Sequence, residues 1–291
     1  MLLLLALLQQ IDSTVPVGRG QRLEVNAFAG EVTVTAWNRD AVRVQADAVG
    51  STGVEIDRNA TTVSVRTSGR RGPPSNVDLQ ITAPAWMPLD ISGVNTEMTI
   101  TGSRAGISAE TVQGDVSAKG GEGLVSLRSV QGSVSLSGAK GRLEVHSVNA
   151  DVEVIASSGE VTAETVNGDV TLDGVDATSV TATSLNGDVS YNGPIKSSGR
   201  YALSTHNGDI TVTVAEGTSA SVSVSTFNGE FTSAFPVTLT ETRKGKRFNF
   251  TIGGGSAQVT LESFQGTIEL VRPGQFQGAR EHDHDDDDDD E

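Results

Sequence analysis

The chain has 291 residues, no cysteine, 4% aromatic residues and a formal net charge of -16. Without cysteine there are no disulfides, thiolate metal centres, cysteine nucleophiles or lipidated N-terminal cysteine. The acidic balance argues against nucleic acid as a partner, since binding it needs clustered Lys and Arg to displace counterions. Thirty-three glycines among many Val, Thr and Ser residues suit short strands joined by tight turns, and no long stretch carries a helical period.

In chain order, residues 1–14 open with an apolar run, Leu2 to Leu8. At about 1.5 Å per residue this run covers about 10 Å, too little to span a bilayer. It resembles the hydrophobic half of a secretory signal without a basic flank or a cleavage site, so this segment is expected to be a truncated export signal or an apolar N-terminus. Residues 15–92 are expected to form capping β coils. Leu23, Val25 and Ala27 lead into Phe28, Ala29, Gly30 and Glu31, and then into Val32 and Val34. Strand-like runs follow at Val42 to Ala46, Val54 to Ile56, Val63 to Val65 and Val77 to Ile81, with an exposed loop expected from Gly69 to Pro74.

From 93 to 272 one phrase recurs: an apolar residue, Asn or Gln, usually Gly, then usually an acid. It reads VNTE from Val94, VQGD from Val112, VQGS from Val130, VNAD from Val148 and VNGD from Val166, at intervals of 18 residues. It continues as LNGD from Leu185, HNGD from His206, FNGE from Phe227 and FQGT from Phe264, at intervals of 19, 21, 21 and 37. The last interval is expected to hide one further coil. A repeat of this size marks units that cannot bury their apolar face alone and must stack on their neighbours. Around Asn167 the inward set is expected to be Val161, Ala163, Thr165, Val170 and Leu172. Around Asn186 it is Val180, Ala182, Ser184, Val189 and Tyr191, and around Gln265 it is Val259, Leu261, Ser263, Ile268 and Leu270. The fold class expected is all-β, a single-stranded right-handed β-helix or β-solenoid of about 18–21-residue coils with almost no α-helix. The repeat by itself leaves the handedness open.

The phrase is expected to form a corner. Gly114, Gly132, Gly168, Gly187, Gly208, Gly229 and Gly266 suit a turn at positive φ. Asn95, Gln113, Gln131, Asn149, Asn167, Asn186, Asn207, Asn228 and Gln265 would then stack about 4.8 Å apart as a side-chain ladder that needs no ligand. Asp115, Asp151, Asp169, Asp188 and Asp209, with Glu97 and Glu230, share a neighbouring column. Paired carboxylates can hydrolyse glycosidic bonds or bind calcium, but these acids repeat evenly instead of clustering, and an Asp in a turn accepts main-chain N–H groups. No catalytic residue and no cofactor is assigned.

Between Val237 and Ile252 two alternating runs flank Arg243, Lys244, Lys246 and Arg247. This reads as a hairpin near 237–252 whose basic tip is either a candidate anion site or a solvated turn. Residues 273–291 end in an Asp tract and are expected to form a disordered acidic tail. Within it, His282 and His284 are weak candidates for metal capture. Trp37 and Trp86 could stack on sugars if exposed, or pack against the capping coils.

The segment Asn76 to Ser92 (NVDLQITAPAWMPLDIS), followed by tandem VNGDV-like phrases, resembles the bacterial DUF4097 family, whose members are often labelled putative adhesins. The likeness covers Val15 to Val271. It implies an exported or membrane-tethered stack of β coils with no established catalytic residues. This chain departs from the pattern in lacking a clear transmembrane anchor and in its Asp tract. The function expected is that of a noncatalytic extracytoplasmic β-solenoid in the periplasm, at the cell surface or secreted, acting as a cell-envelope-associated adhesin or scaffold. Envelope polysaccharide, a surface protein or a second copy of the chain would be its partner. The alternatives are a polysaccharide-active β-helix enzyme, lyase or hydrolase, and a calcium-dependent surface module.

Overall fold

The computed structural model describes residues 9–48, 52–69, 76–237, 240–242 and 246–276. The apolar run Leu2 to Leu8, the loop tip, Arg243, Lys244 and the acidic tail with His282 and His284 lie outside these residues. Among the described residues there are strands and no helix.

The first third of the chain holds β1 (Gln9–Pro16), β2 (Arg22–Trp37), β3 (Ala41–Ala48), β4 (Thr52–Arg58), β5 (Thr62–Gly69), β6 (Val77–Pro84) and β7 (Leu89–Ser103). The regular stack follows with β8 (Ile107–Gln113), β9 (Val116–Gly120), β10 (Glu122–Gln131), β11 (Val134–Ser137), β12 (Lys140–His146), β13 (Val152–Ile155), β14 (Ser158–Glu164) and β15 (Val170–Asp173). It continues through β16 (Asp176–Asn186), β17 (Val189–Asn192), β18 (Arg200–Asn207), β19 (Ile210–Thr213), β20 (Ala220–Asn228) and β21 (Phe231–Ser233). The last elements are β22 (Thr240–Thr242), β23 (Lys246–Ile252), β24 (Ala257–Gln265) and β25 (Ile268–Val271).

A regular coil is a long strand, a corner at the phrase, a short strand and a second, tighter corner. Long strands pair in parallel through β7, β8, β10, β12, β14, β16 and β18, forming one wall. Short strands pair through β9, β11, β13, β15, β17 and β19, forming the other. Strand side chains alternate between faces, so one register buries one set in every coil. The inward sets around Asn167, Asn186 and Gln265 are all buried, and they join one continuous core that runs the length of the stack.

The changes in repeat length have local causes. Gly123, Gly141 and Gly159 stack at the start of the long strand, where a Cβ on Gly159 would lie 2.0 Å from the Gly141 carbonyl oxygen. The next coil places Ala177 there, and the strand bulges immediately afterwards by one residue, Thr178. This produces the interval of 19. The following coil widens at its second corner, residues 193–199, where Tyr191 and Tyr201 pack with ring centroids 5.5 Å apart. The Tyr201 hydroxyl donates to the Ala177 carbonyl at 2.8 Å and accepts the Lys196 N–H at 2.8 Å, while the Tyr191 hydroxyl donates to the Pro194 carbonyl at 3.2 Å. The polar tips of two buried phenols thus satisfy the enlarged corner.

The interval of 37 does not hide a further coil. After β19 the chain leaves one rung empty and builds β20 and β21 on the outside. It then turns back as β22 and β23, with β23 antiparallel to β20, and fills the gap with β24 and β25. The long-strand order at this end is therefore β18, β24, β20, β23, β22. The opposite end repeats the arrangement. There β2 lies between β7 on one side and β5 with β6 on the other, although β5 and β6 follow it in the chain. Antiparallel strands close this end too, with β4 on β5, and β3 followed by β1 on β6.

Candidate functional site

Three hydrogen-bonded columns meet at the corner. The first is made of side-chain amides. Asn167 donates to Asn149 Oδ1 at 2.9 Å, Asn186 to Asn167 at 2.9 Å and Asn207 to Asn186 at 2.8 Å. Gln113 donates to Gln131 at 2.9 Å, and Asn149 turns aside to the Val130 carbonyl at 3.2 Å. The column is therefore a glutamine pair followed by an asparagine run, and it does not extend as one ladder through all nine positions. Asn95 pairs with Gln113, and Asn228 and Asn207 both pair with Gln265, through their main chains.

The second column is acidic. Asp151 accepts the main-chain N–H of Asp169 at 2.8 Å, Asp169 that of Asp188 at 2.7 Å, Asp188 that of Asp209 at 2.7 Å and Asp209 that of Thr267 at 2.6 Å, while Asp115 accepts Ser133 N–H at 2.8 Å. Each carboxylate serves the next coil, not its own turn.

The third column lies two residues before the Asn or Gln of six phrases. Ser129, Ser147, Thr165, Ser184, Thr205 and Ser263 are buried, and their hydroxyls donate to the corner carbonyls of Gly114, Gly132, Ala150, Gly168, Gly187 and Gly208 at 2.8–3.0 Å. Sequence reasoning placed Thr165, Ser184 and Ser263 inside but gave them no role. The recurrence of Ser or Thr at that spacing, broken only by Gly93 before Asn95, is the feature that marks them.

The glycines answer to the same stacking. A Cβ at Gly187 would lie 1.9 Å from the Gly168 carbonyl oxygen, and one at Gly266 would lie 1.9 Å from that of Gly208. Gly132 and Gly229 lie outside the positive-φ region, yet a Cβ there would meet the Gly114 and Gly266 carbonyl oxygens at 2.1 and 1.8 Å. Close approach of the neighbouring coil, more than turn geometry, requires them.

The apolar residue that opens each phrase stays outside. Phe28, Val94, Val112, Val130, Val148, Val166, Leu185, Phe264 and Phe227 are exposed, with His206 in the same series. The pairing of their neighbours sets them one rung apart in a spine about 43 Å long at about 4.8 Å per rung. At its C-terminal end the rings of His206, Phe264 and Phe227 stack with centroids 4.6 and 4.9 Å apart and planes within 5° and 3° of parallel.

Beside the spine, on the same outer face of the long strands, the side chains in successive rungs are Glu110, Arg128, His146, Glu164, Thr183, Ser204, Glu262 and Ser225, with Arg247 of β23 following. Long charged groups in the middle coils, such as His146, which faces Glu164 at 3.4 Å, give way to small hydroxyls where the spine becomes aromatic. The step leaves a groove of about 580 Å³ lined by Ser204, Ser225, Arg247, Glu262, His206 and the two phenylalanines. Of the four cations at the expected basic tip, Lys246 opens β23 and Arg247 lines this groove.

Both tryptophans are half-buried at the capping end. Trp37 donates to the Ala41 carbonyl at 2.8 Å under the Arg39 guanidinium, and Trp86 donates to Asp40 at 3.0 Å under Arg19. Cations cover the rings, so these residues stay with the cap. Among the described residues no three His, Asp or Glu side chains converge as a metal site, and no helix is long and apolar enough to cross a membrane.

No curated protein matches the chain. Among solved structures, the chain is similar to a putative adhesin from Bacteroides fragilis, with 12% identity, 90% of this chain and 97% of the other covered, and a TM-score of 0.40. It is also similar to a putative cell adhesion protein from Clostridium sporogenes, with 9% identity, 91% and 99% covered, and a TM-score of 0.26. A putative lipid binding protein from Parabacteroides distasonis is similar at 9% identity, with 91% and 98% covered and a TM-score of 0.28. The profile of the Toastrack DUF4097 family matches residues 20–271, from just before β2 through β25, and the chain belongs to that family.

Proposed function

We propose that this protein is a noncatalytic β-solenoid that works outside the cytoplasm as a cell-envelope-associated adhesin or scaffold, with its long-strand wall as the binding surface. One observation carries the reading. The polar groups of the corner are engaged with one another, coil after coil, while an apolar spine beside them faces solvent along the whole stack. An exposed apolar row of this length on a soluble face marks a contact surface. A polysaccharide-cleaving enzyme would need two carboxyl groups set apart in role and environment. Here five aspartates sit in equivalent corners, with Ser133 in the rung between Asp115 and Asp151, and each accepts the main-chain N–H at the equivalent position of the next rung.

The test is co-sedimentation of the purified protein with envelope fragments of its source bacterium at low and high salt. Saturable binding that persists at high salt is expected, because the spine is apolar. Failure to sediment under either condition would overturn the reading.

A further inference from the structure

We infer that the groove at the C-terminal end of the long-strand wall is a saccharide-binding site, with the Phe227 ring as its stacking platform. The inference rests on the reading of that wall as a binding surface and names its ligand. Phe227 is, among the described residues, the most exposed large apolar side chain, at 60%, and it ends a column of three parallel rings. One face of its ring is taken by Phe264, and most of the side chain is open to solvent. A pyranose offers the matching chemistry, with an apolar C–H face ringed by hydroxyls. The hydroxyls would meet Ser204 and Ser225 on the floor, the Glu262 carboxylate and the Arg247 guanidinium.

Other occupants match the groove poorly. Strands β18, β24 and β20 are each paired on both sides, so no free main-chain edge is left for an extended peptide. Only one wall is apolar, so an acyl chain would lie half in water. One cation and one anion among the lining residues select neither a polyanion nor a polycation. The site is also local. In the middle coils the spine is Val and its neighbours are long and charged, so no step exists there for a ring to enter.

The test uses the full chain, with Phe227→Ala, Glu262→Gln and, on the short-strand wall, the exposed Lys119→Ala as a control. The probes are untreated envelopes of the source bacterium, periodate-oxidised envelopes whose vicinal diols are destroyed, and protease-treated envelopes. Binding is expected to survive protease, to vanish with periodate, to weaken about tenfold in Phe227→Ala and Glu262→Gln, and to persist in Lys119→Ala. Phe227 and Glu262 are exposed, and unchanged melting of both variants would confirm that the loss is local. Binding that survives periodate, or that Phe227→Ala and Glu262→Gln leave intact, overturns the saccharide groove while the adhesive wall stands. Absence of binding to untreated envelopes overturns both.

Discussion

A glycine in this stack is defined by the carbonyl beneath it. At Gly187 a side chain has no room, because the Gly168 oxygen would sit 1.9 Å from its Cβ, whereas a Cβ at Gly138 would meet nothing within 4 Å. Gly187→Val is therefore expected to cost more than about 3 kcal/mol in urea or thermal denaturation. Gly138→Ala, strained only by a φ of 66°, should cost about 1 kcal/mol. Asp169→Asn keeps an oxygen to accept the Asp188 N–H and should stay within about 1 kcal/mol of the wild type. Equal melting temperatures for these three variants would refute the stacking account. Ser184→Ala removes the donor to the Gly168 carbonyl and is expected to cost about 1 kcal/mol. Ser184→Thr should be close to neutral, because Thr165 and Thr205 make the same bond one coil away on either side. The inward sets around Asn167, Asn186 and Gln265 were legible because period two with a fixed register leaves a single buried face. The serine and threonine column was written as plainly, but a small polar residue at an inward position reads as filler until its acceptor is known. The exposed spine escaped for the opposite reason: an apolar residue in a repeat suggests core, and only the corner geometry turns Val148 or Leu185 outward.

At the level of the coil, the order of rungs could not be read from spacing. The corners carry near-identical phrases, so spacing alone does not fix which coil stacks on which, and an interval of 37 does not say which gap a strand fills. Hydrogen exchange should expose the swap. Peptides from β24 and β25 lie between paired neighbours and are expected to exchange as slowly as those of β16, while β21, paired on one side only, exchanges faster although it precedes them in the chain. Faster exchange in β25 than in β21 would contradict the observed order. The widened corner gives a second handle. Burial holds the Tyr191 phenol above its ordinary value, helped by the neighbouring Tyr201, and burial raises Tyr201 as well. In the unfolded chain both phenols titrate near about 10. The folded protein keeps its protons where the unfolded chain has lost them, so this stability is whole below that pH and declines as pH rises beyond it toward the raised folded values. Urea midpoints measured from neutral to alkaline pH should fall less steeply in Tyr191→Phe than in the wild type.

For the whole molecule, charge is a burden shared along a rod. A formal charge of -16, with carboxylates repeated rung by rung, favours stabilisation by any salt through screening. Calcium chloride is expected to raise the melting temperature no more than sodium chloride at equal ionic strength, and a larger rise would restore the calcium-dependent alternative. A solenoid of this kind is also nearly one-dimensional, so coil energies add between neighbours and damage stays local.

That additivity fails at the two ends. The last rung to be synthesised, β24 with β25, is the second from the end in space, and its arrival gives the outermost coil a seat. Coils β8 to β19 can close one upon another as they emerge from the ribosome or a translocation pore, whereas residues 220–233 must wait, unsupported, until residues 257–271 have followed. A polypeptide cut short by a dozen residues of β24 and β25 would therefore lose two rungs instead of one and display an open strand edge with its apolar interior. The outermost coil thus gains its seat only once the chain has been made through Val271.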